Sequence, residues 1–121
     1  MFRNKRKDLF NLDTQLFNDY LISINNGWNE DTKIIEPETA YYLENKIYEA
    51  IIDEQKITSK KIHNWAKREQ GYEDFSDIML DNESAIEDDL LVMLKCMFEL
   101  IRLKEFTIPV RVFENTLLKI N

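Results

Sequence analysis

Apolar residues recur at three- and four-residue intervals along most of the chain, a spacing that places them on one face of an α-helix. The pattern predicts a helix over residues 9–25, a second helix that starts at Pro37, and a third that follows Thr58. Proline suits a first helical turn, and threonine suits an N-cap. Gly71 is expected to end the third helix, and residues 72–80 are predicted to form a short helical turn.

The helix at the centre of the predicted core starts near residue 84. Ser84 and Glu87 have the spacing of a capping box, which predicts Ser84 as the N-cap. Glu87, Asp88 and Asp89 would then lie in the first turn, where the helix dipole favours negative charge. The apolar stripe of this helix is broad and consists of Ile86, Leu90, Met93, Leu94, Met97, Phe98 and Ile101.

Residues 107–120 fit two patterns. Apolar and polar residues alternate over 108–112, as in a strand, whereas a helical period runs from Val110 to Ile120 with Pro109 at a possible first position. A single strand would need a partner, which only residues near 32–35 are placed to supply. We favour the helix and keep one short C-terminal strand as the alternative.

Composition favours a helical fold. The 121 residues include 2 glycines and 2 prolines, whereas strand-rich folds need more of both for their turns. One cysteine, Cys96, excludes an internal disulfide and fits a reducing compartment. No stretch approaches the roughly 18 apolar residues that span a bilayer. We therefore predict an all-α single domain over 1–121, an irregular bundle of five or six helices with a basic, flexible N-terminus over 1–7, located in the cytoplasm.

Residues suited to catalysis or metal binding are scarce. His63 and Cys96 are the single histidine and the single cysteine, so one chain cannot assemble a Cys/His metal cluster. The sequence has no glycine-rich phosphate loop and no nucleophile elbow. His63 lies among Lys60, Lys61 and Lys67, which predicts an exposed helix residue. The acids cluster with one another on polar stretches, where none is desolvated for acid–base work. We predict no enzyme, no cofactor and no metal.

The main functional signal is the acidic segment, residues 73–89, which contains eight acids and no lysine or arginine. The eight are Glu73, Asp74, Asp77, Asp81, Glu83, Glu87, Asp88 and Asp89. A second acidic group, opposed by Lys46 alone, consists of Glu36, Glu38, Glu44, Glu49, Asp53 and Glu54. The whole chain has a net charge of −7. Two interpretations stay open: a solvated face that keeps the protein soluble, or a surface that attracts a basic partner.

Our first hypothesis is a non-enzymatic inhibitor of the immunity or antitoxin type, which neutralises a basic protein such as a nuclease toxin. Bacterial immunity proteins, antitoxins and phage-encoded inhibitors share this physical type, but the sequence has no family motif. The predicted partner-binding residues are Tyr72, Glu73, Asp74, Asp77, Asp81, Glu83, Glu87 and Asp88 from the acidic segment, with Tyr41, Glu44 and Tyr48 from the Pro37 helix.

Two alternatives have their own sequence features. Positive charge is concentrated over residues 56–68, which predicts a nucleic-acid-binding regulator with a helix-turn-helix outline. Three features argue against this nucleic-acid hypothesis: the negative net charge, the absence of glycine from the turn, and the acidity of the Pro37 helix. The third hypothesis is a homo-oligomeric scaffold that uses the tyrosine-rich side of that helix. The sequence leaves monomer and homodimer open.

Overall fold

The computed structural model describes residues 33–78, 80 and 84–120. Four helices lie in this part of the chain: α1 (Pro37–Ile52), α2 (Ser59–Gln70), α3 (Asp88–Arg102) and α4 (Val110–Ile120). The predicted helical class is confirmed for these residues. The helix predicted over 9–25 and the basic residues 1–7 lie outside them.

Helix α1 begins at Pro37, as the sequence predicts. Its buried side contacts α3 and α2, so it is covered by two neighbouring helices. The buried residues are Thr39, Ala40, Leu43, Ile47, Ala50 and Ile51. Tyr41 and Tyr48 lie outside this buried side, with 55% and 45% of their surface exposed.

Helix α2 has the predicted cap at each end. The Thr58 side chain accepts a hydrogen bond from the backbone N–H of Lys61 at 3.2 Å, which satisfies one of the free donors of the first turn. Ile57 and Ile62, at the spacing of a hydrophobic staple, are both buried. Gly71 follows the last residue with a φ of 103°, a backbone conformation that glycine adopts without steric strain.

The predicted start of α3 is wrong. Glu87, not Ser84, is the N-cap, and its side chain makes no capping hydrogen bond. The backbone N–H of Ile86 instead donates to the carbonyl of Ile57 at 2.8 Å. This long-range bond holds the chain beside the start of α2, and the helix begins only at Asp88. The predicted apolar stripe is otherwise present, although Leu90 is only partly buried.

The helical turn predicted over 72–80 does not extend beyond residue 75 in its described part. A single turn is closed by a 3.3 Å hydrogen bond from the Phe75 N–H to the Tyr72 carbonyl, and the chain then continues without regular structure to residue 78. Phe75 is buried, and its ring packs edge-on against Phe113, with the centroids 6.4 Å apart. The Phe113 ring is also packed against that of Phe98, so this segment is joined to the centre of the core.

Both patterns in residues 107–120 have a structural counterpart. α4 forms the predicted helix, and Pro109 immediately precedes it. Pro109 also forms an isolated antiparallel bridge with Ile34, in the region where the sequence allowed a partner. The N–H of Ile35 donates to the carbonyl of Ile108, and the N–H of Val110 donates to that of Lys33, both at 2.9 Å. The pairing ends there because the chain then turns into α4.

Candidate functional site

The described ends of the acidic segment lie near opposite ends of α2. Glu73 and Asp74 follow Gly71 at the C-terminal end of α2. Glu87 follows Ile86, whose bond to Ile57 places it near the N-terminal end. The 12 residues of α2 separate these ends by about 18 Å. The described acids of the segment therefore do not form one continuous patch, and Asp81 and Glu83 lie outside the described residues.

One acid of the segment already has a partner within the chain. An Asp77 carboxylate oxygen lies 2.8 Å from Nζ of Lys67, although the Asp77 side chain is 97% exposed. The hydrogen bond and positive charge of Lys67 lower the pKa of Asp77. No ion pair within 4.0 Å joins Glu73, Asp74 or Glu87 to another described residue. Intramolecular neutralisation of the segment is therefore only partial in this part of the chain.

The side chain of Gln70 joins the end of α2 to the start of α1. Its amide group donates to the carbonyl of Ile34 at 2.8 Å and accepts from the N–H of Glu36 at 2.9 Å. Glu36 bonds to Gln70 through its N–H, and Glu38 and Glu69 line one groove beside this junction. Glu73 and Asp74 follow Gln70 by three and four residues along the chain. We call the surface that carries Glu36, Glu38, Glu69, Glu73 and Asp74 the acidic corner.

A groove of about 350 Å³ continues from the acidic corner between α1 and α2. It is lined by Glu38, Tyr41, Tyr42, Asn45, Lys46, Glu49 and Glu69. Three carboxylates therefore face a single lysine, whose Nζ lies 5.6 Å from the Tyr42 ring centroid and 5.7 Å from that of Trp65. Tyr41 is 55% exposed at the edge of the groove. The groove combines negative charge with accessible aromatic surface.

Glu44, a predicted partner-binding residue, is held within the fold. Its two carboxylate oxygens accept hydrogen bonds from Arg102 of α3 at 2.9 and 3.3 Å. This bond to Glu44 raises the pKa of Arg102, whose guanidinium also lies 5.8 Å from the Tyr41 ring centroid. Glu44 therefore joins α1 to α3 and lies apart from the acidic corner.

The remaining predicted residues have separate surroundings. Tyr72, beside the acidic corner, is 67% exposed, with Nζ of Lys67 at 5.8 Å from its ring centroid. Tyr48 is exposed on α1, with Nζ of Lys95 at 6.0 Å from its ring centroid. Asp88 lies in the first turn of α3, at the opposite end of α2 from Tyr72. The structure thus brings Tyr72, Glu73 and Asp74 close to one end of α1, but leaves Tyr48 and Asp88 elsewhere.

His63 was predicted to be exposed, and this is wrong: only 4% of its surface is accessible. Its Nε2 lies 2.9 Å from Oε2 of Glu114, a buried residue of α4 that sequence inspection missed. The same oxygen accepts hydrogen bonds from the backbone N–H and the hydroxyl of Ser76, at 3.2 and 2.9 Å. The Phe75 ring meets the imidazole edge-on, with centroids 5.5 Å apart. This network fixes the histidine from three elements of the fold.

The sequence did contain a signal for this pair. Residues 59, 62, 63 and 66 follow the same helical spacing, and all four are buried in α2. Residues 110, 113, 114 and 117 repeat that spacing in α4 and are also buried. A polar residue inside each of two buried stripes indicates that the two residues pair with each other, since buried polar groups are nearly always hydrogen-bonded.

Comparison with known proteins found no matching family model, no matching curated protein and no matching solved structure. Within the described residues, no group of three or more histidine, cysteine or acidic side chains is arranged to hold a metal ion. None of the four described helices combines the length and the apolar character needed to cross a membrane. The geometry of this chain is therefore the basis for a functional proposal.

Proposed function

We propose that this protein is a non-enzymatic, protein-binding inhibitor of the immunity or antitoxin type, which binds a basic partner such as a nuclease toxin through the acidic corner and the adjoining groove. The observation that carries the proposal is the convergence of acids from three sequence segments at the place where Gln70 joins α2 to α1. Such a concentration of like charge is unfavourable within a monomer and becomes favourable opposite a positive surface.

Exposed aromatic residues beside the acids favour a protein partner. Tyr41 borders the groove and Tyr72 borders the acidic corner, and both are more than half exposed. Tyrosine is enriched at protein interfaces because its ring buries a large apolar area while its hydroxyl forms hydrogen bonds. A nuclease cleft is lined with lysine and arginine to hold phosphates, so an acidic surface with aromatic anchors would compete for it directly.

The nucleic-acid alternative receives less support from the placement of the basic side chains. Lys67 is paired with Asp77, and Nζ of Lys61 donates to the backbone carbonyl of Lys56 at 3.1 Å. The acids of the corner also lie at one end of the same helix and would repel a phosphate backbone. A gel shift with mixed DNA and RNA tests this alternative, and retardation at low salt would support it.

The proposed surface is tested with the double variant Glu69→Lys and Glu73→Lys. Glu69 lies in the last turn of α2, where the dipole disfavours an acid, so lysine there should not destabilise the helix. The immobilised protein is used to capture partners from its own host's lysate at low and at high salt, and a captured protein is then purified for affinity measurement. We expect a basic partner whose binding is weakened by at least about tenfold in the variant, since each lost charged hydrogen bond contributes about 1.5–3 kcal/mol.

The matched control is Asp53→Lys with Glu54→Lys. These exposed residues follow the last turn of α1, at the opposite end from Glu38, and they change the net charge by the same amount. The control should retain partner binding. Equal weakening in both variants would show that net charge, and not the acidic corner, governs binding; unchanged binding in the test variant would refute the proposed surface. Light scattering on the purified protein tests the homo-oligomer alternative, which a strict monomer would exclude.

A further inference from the structure

A second cavity, distinct from the proposed partner surface, lies beside the buried histidine. It has a volume of about 360 Å³ and is lined by Lys60, His63, Asn64, Lys67, Asp77, Ile78 and Leu80. Cavities of roughly 300–1,000 Å³ are typical of small-molecule sites. The space is large enough for a compact ligand, and apolar side chains form part of its wall.

One face of α2 supplies this cavity with hydrogen-bond donors. Lys60 and Lys67 each lie three or four residues from both His63 and Asn64, so the four residues share one side of the helix. Two ammonium groups and a side-chain amide therefore converge on the same space. The cavity contains one opposing charge, from Asp77, so its lining is positive although the chain as a whole is acidic.

The histidine is held in a fixed orientation at this site. Nε2 is bonded to Glu114, and the ring is packed against Phe75. His63 is one of the residues that line the cavity, and no described residue forms a hydrogen bond with its Nδ1.

We propose that this cavity binds a small, multiply charged anion of the phosphate monoester class, with its phosphate oxygens held by Lys60, Lys67 and the side-chain amide of Asn64, beside His63. Phosphate oxygens match a set of convergent charged donors. The apolar side chains of Ile78 and Leu80 would contact the organic part of the ligand.

Asp77 competes with an anionic ligand for Lys67. Its carboxylate lies 2.8 Å from Nζ of Lys67, while its side chain is 97% exposed. An exposed ion pair of this kind is held weakly, so the aspartate can turn into solvent when a phosphate replaces it. Removal of this carboxylate should therefore strengthen anion binding, an effect opposite to that expected of a residue that contacts the ligand favourably.

The site is tested by NMR titration with inorganic phosphate at constant pH and constant ionic strength, with chloride and acetate as comparison anions. His63 is the single histidine among the 121 residues, so its ring signals need no mutational assignment. We expect saturable shifts of these signals with phosphate. Lys60→Met with Lys67→Met should weaken binding at least about tenfold. Asp77→Asn should strengthen binding about threefold or more, since it removes a like charge from the cavity.

The matched control is Lys56→Met with Lys61→Met, which removes the same charge from the exposed start of α2 outside the cavity. Its phosphate affinity should stay within about twofold of the wild-type value, as expected for exposed charges screened by salt. Equal weakening in the control, shifts that never saturate, or identical shifts with chloride would each overturn the proposal. If the Lys60 and Lys67 double variant fails to fold, Asp77→Asn decides the outcome, because weaker or unchanged affinity in that variant contradicts the site.

Discussion

Replacement of Glu114 by alanine removes an acceptor that is shared by three donors from two other parts of the fold. Oε2 of Glu114 accepts from His63 Nε2 and from both the N–H and the hydroxyl of Ser76. The histidine is buried in α2, whereas Ser76 lies on an exposed loop. The variant would leave the imidazole beside a small void without its partner, while the serine groups could turn to water.

The size of the expected loss of unfolding free energy follows from this difference between the buried and the exposed donors. A buried donor left without its partner typically costs about 1–3 kcal/mol. The groups of Ser76 have access to solvent but the imidazole does not, and the void adds to the loss, so we expect the upper end, about 3 kcal/mol of unfolding free energy. Glu114→Gln keeps an acceptor oxygen and the side-chain shape, so its expected cost is about 1 kcal/mol. Total stabilities are typically about 5–15 kcal/mol, so the alanine variant should still fold.

Urea unfolding, followed by tryptophan fluorescence, measures this loss. The unfolding free energy is expected to fall by about 1.5 kcal/mol per M of urea. A loss of about 3 kcal/mol therefore lowers the urea concentration at the unfolding midpoint by about 2 M. Glu69→Ala, at an exposed position of α2, is the control and should change the unfolding free energy by less than about 0.5 kcal/mol. A loss below about 1 kcal/mol in Glu114→Ala would refute the view that the His63–Glu114 pair is a principal contact between α2 and α4.

Two further predictions concern α3. Arg102→Met should lower the urea midpoint of unfolding, because it removes the bond to Glu44 that joins α3 to α1; an unchanged urea midpoint would contradict this. Burial raises the pKa of the Cys96 thiol, so the folded protein holds less reactive thiolate than the unfolded chain at the same pH. The resulting stabilisation is present below the pKa of the unfolded thiol and is lost as the pH rises through the raised folded pKa. Maleimide should therefore label Cys96 more slowly in the native protein than in urea at pH 8, and equal rates would contradict this prediction.

The helix ends that the sequence predicts correctly depend on local geometry. Pro37, Thr58 and Gly71 act within one helical turn, through a fixed φ, a side-chain cap and a positive φ. The wrong predictions fall where the backbone is bonded to distant groups. Ser76 donates its N–H to Glu114, and Ile86 donates its N–H to Ile57, so neither segment needs helical hydrogen bonds.

The candidate sites were less predictable because they depend on which elements meet. A dense acidic sequence suggested one surface, yet the bond between Ile86 and Ile57 separates the two ends of the acidic segment. The groups around Gln70 come together from residues more than 30 positions apart, which spacing along the chain cannot reveal. His63 was misjudged from its lysine neighbours, although its helical register with Ile62 and Ala66 places it on the buried side.

The Gln70 amide has a further consequence for how this fold tolerates sequence change. It bonds to a carbonyl and an N–H of the extended chain around residue 35, much as a neighbouring peptide group would in a sheet. Glutamate at position 70 could still accept from Glu36, but it has no hydrogen to offer the Ile34 carbonyl and would place two oxygens in opposition. Gln70→Glu preserves the size of the side chain but is therefore a poor substitute. Selection at this position should act on the amide nitrogen more than on the size of the side chain.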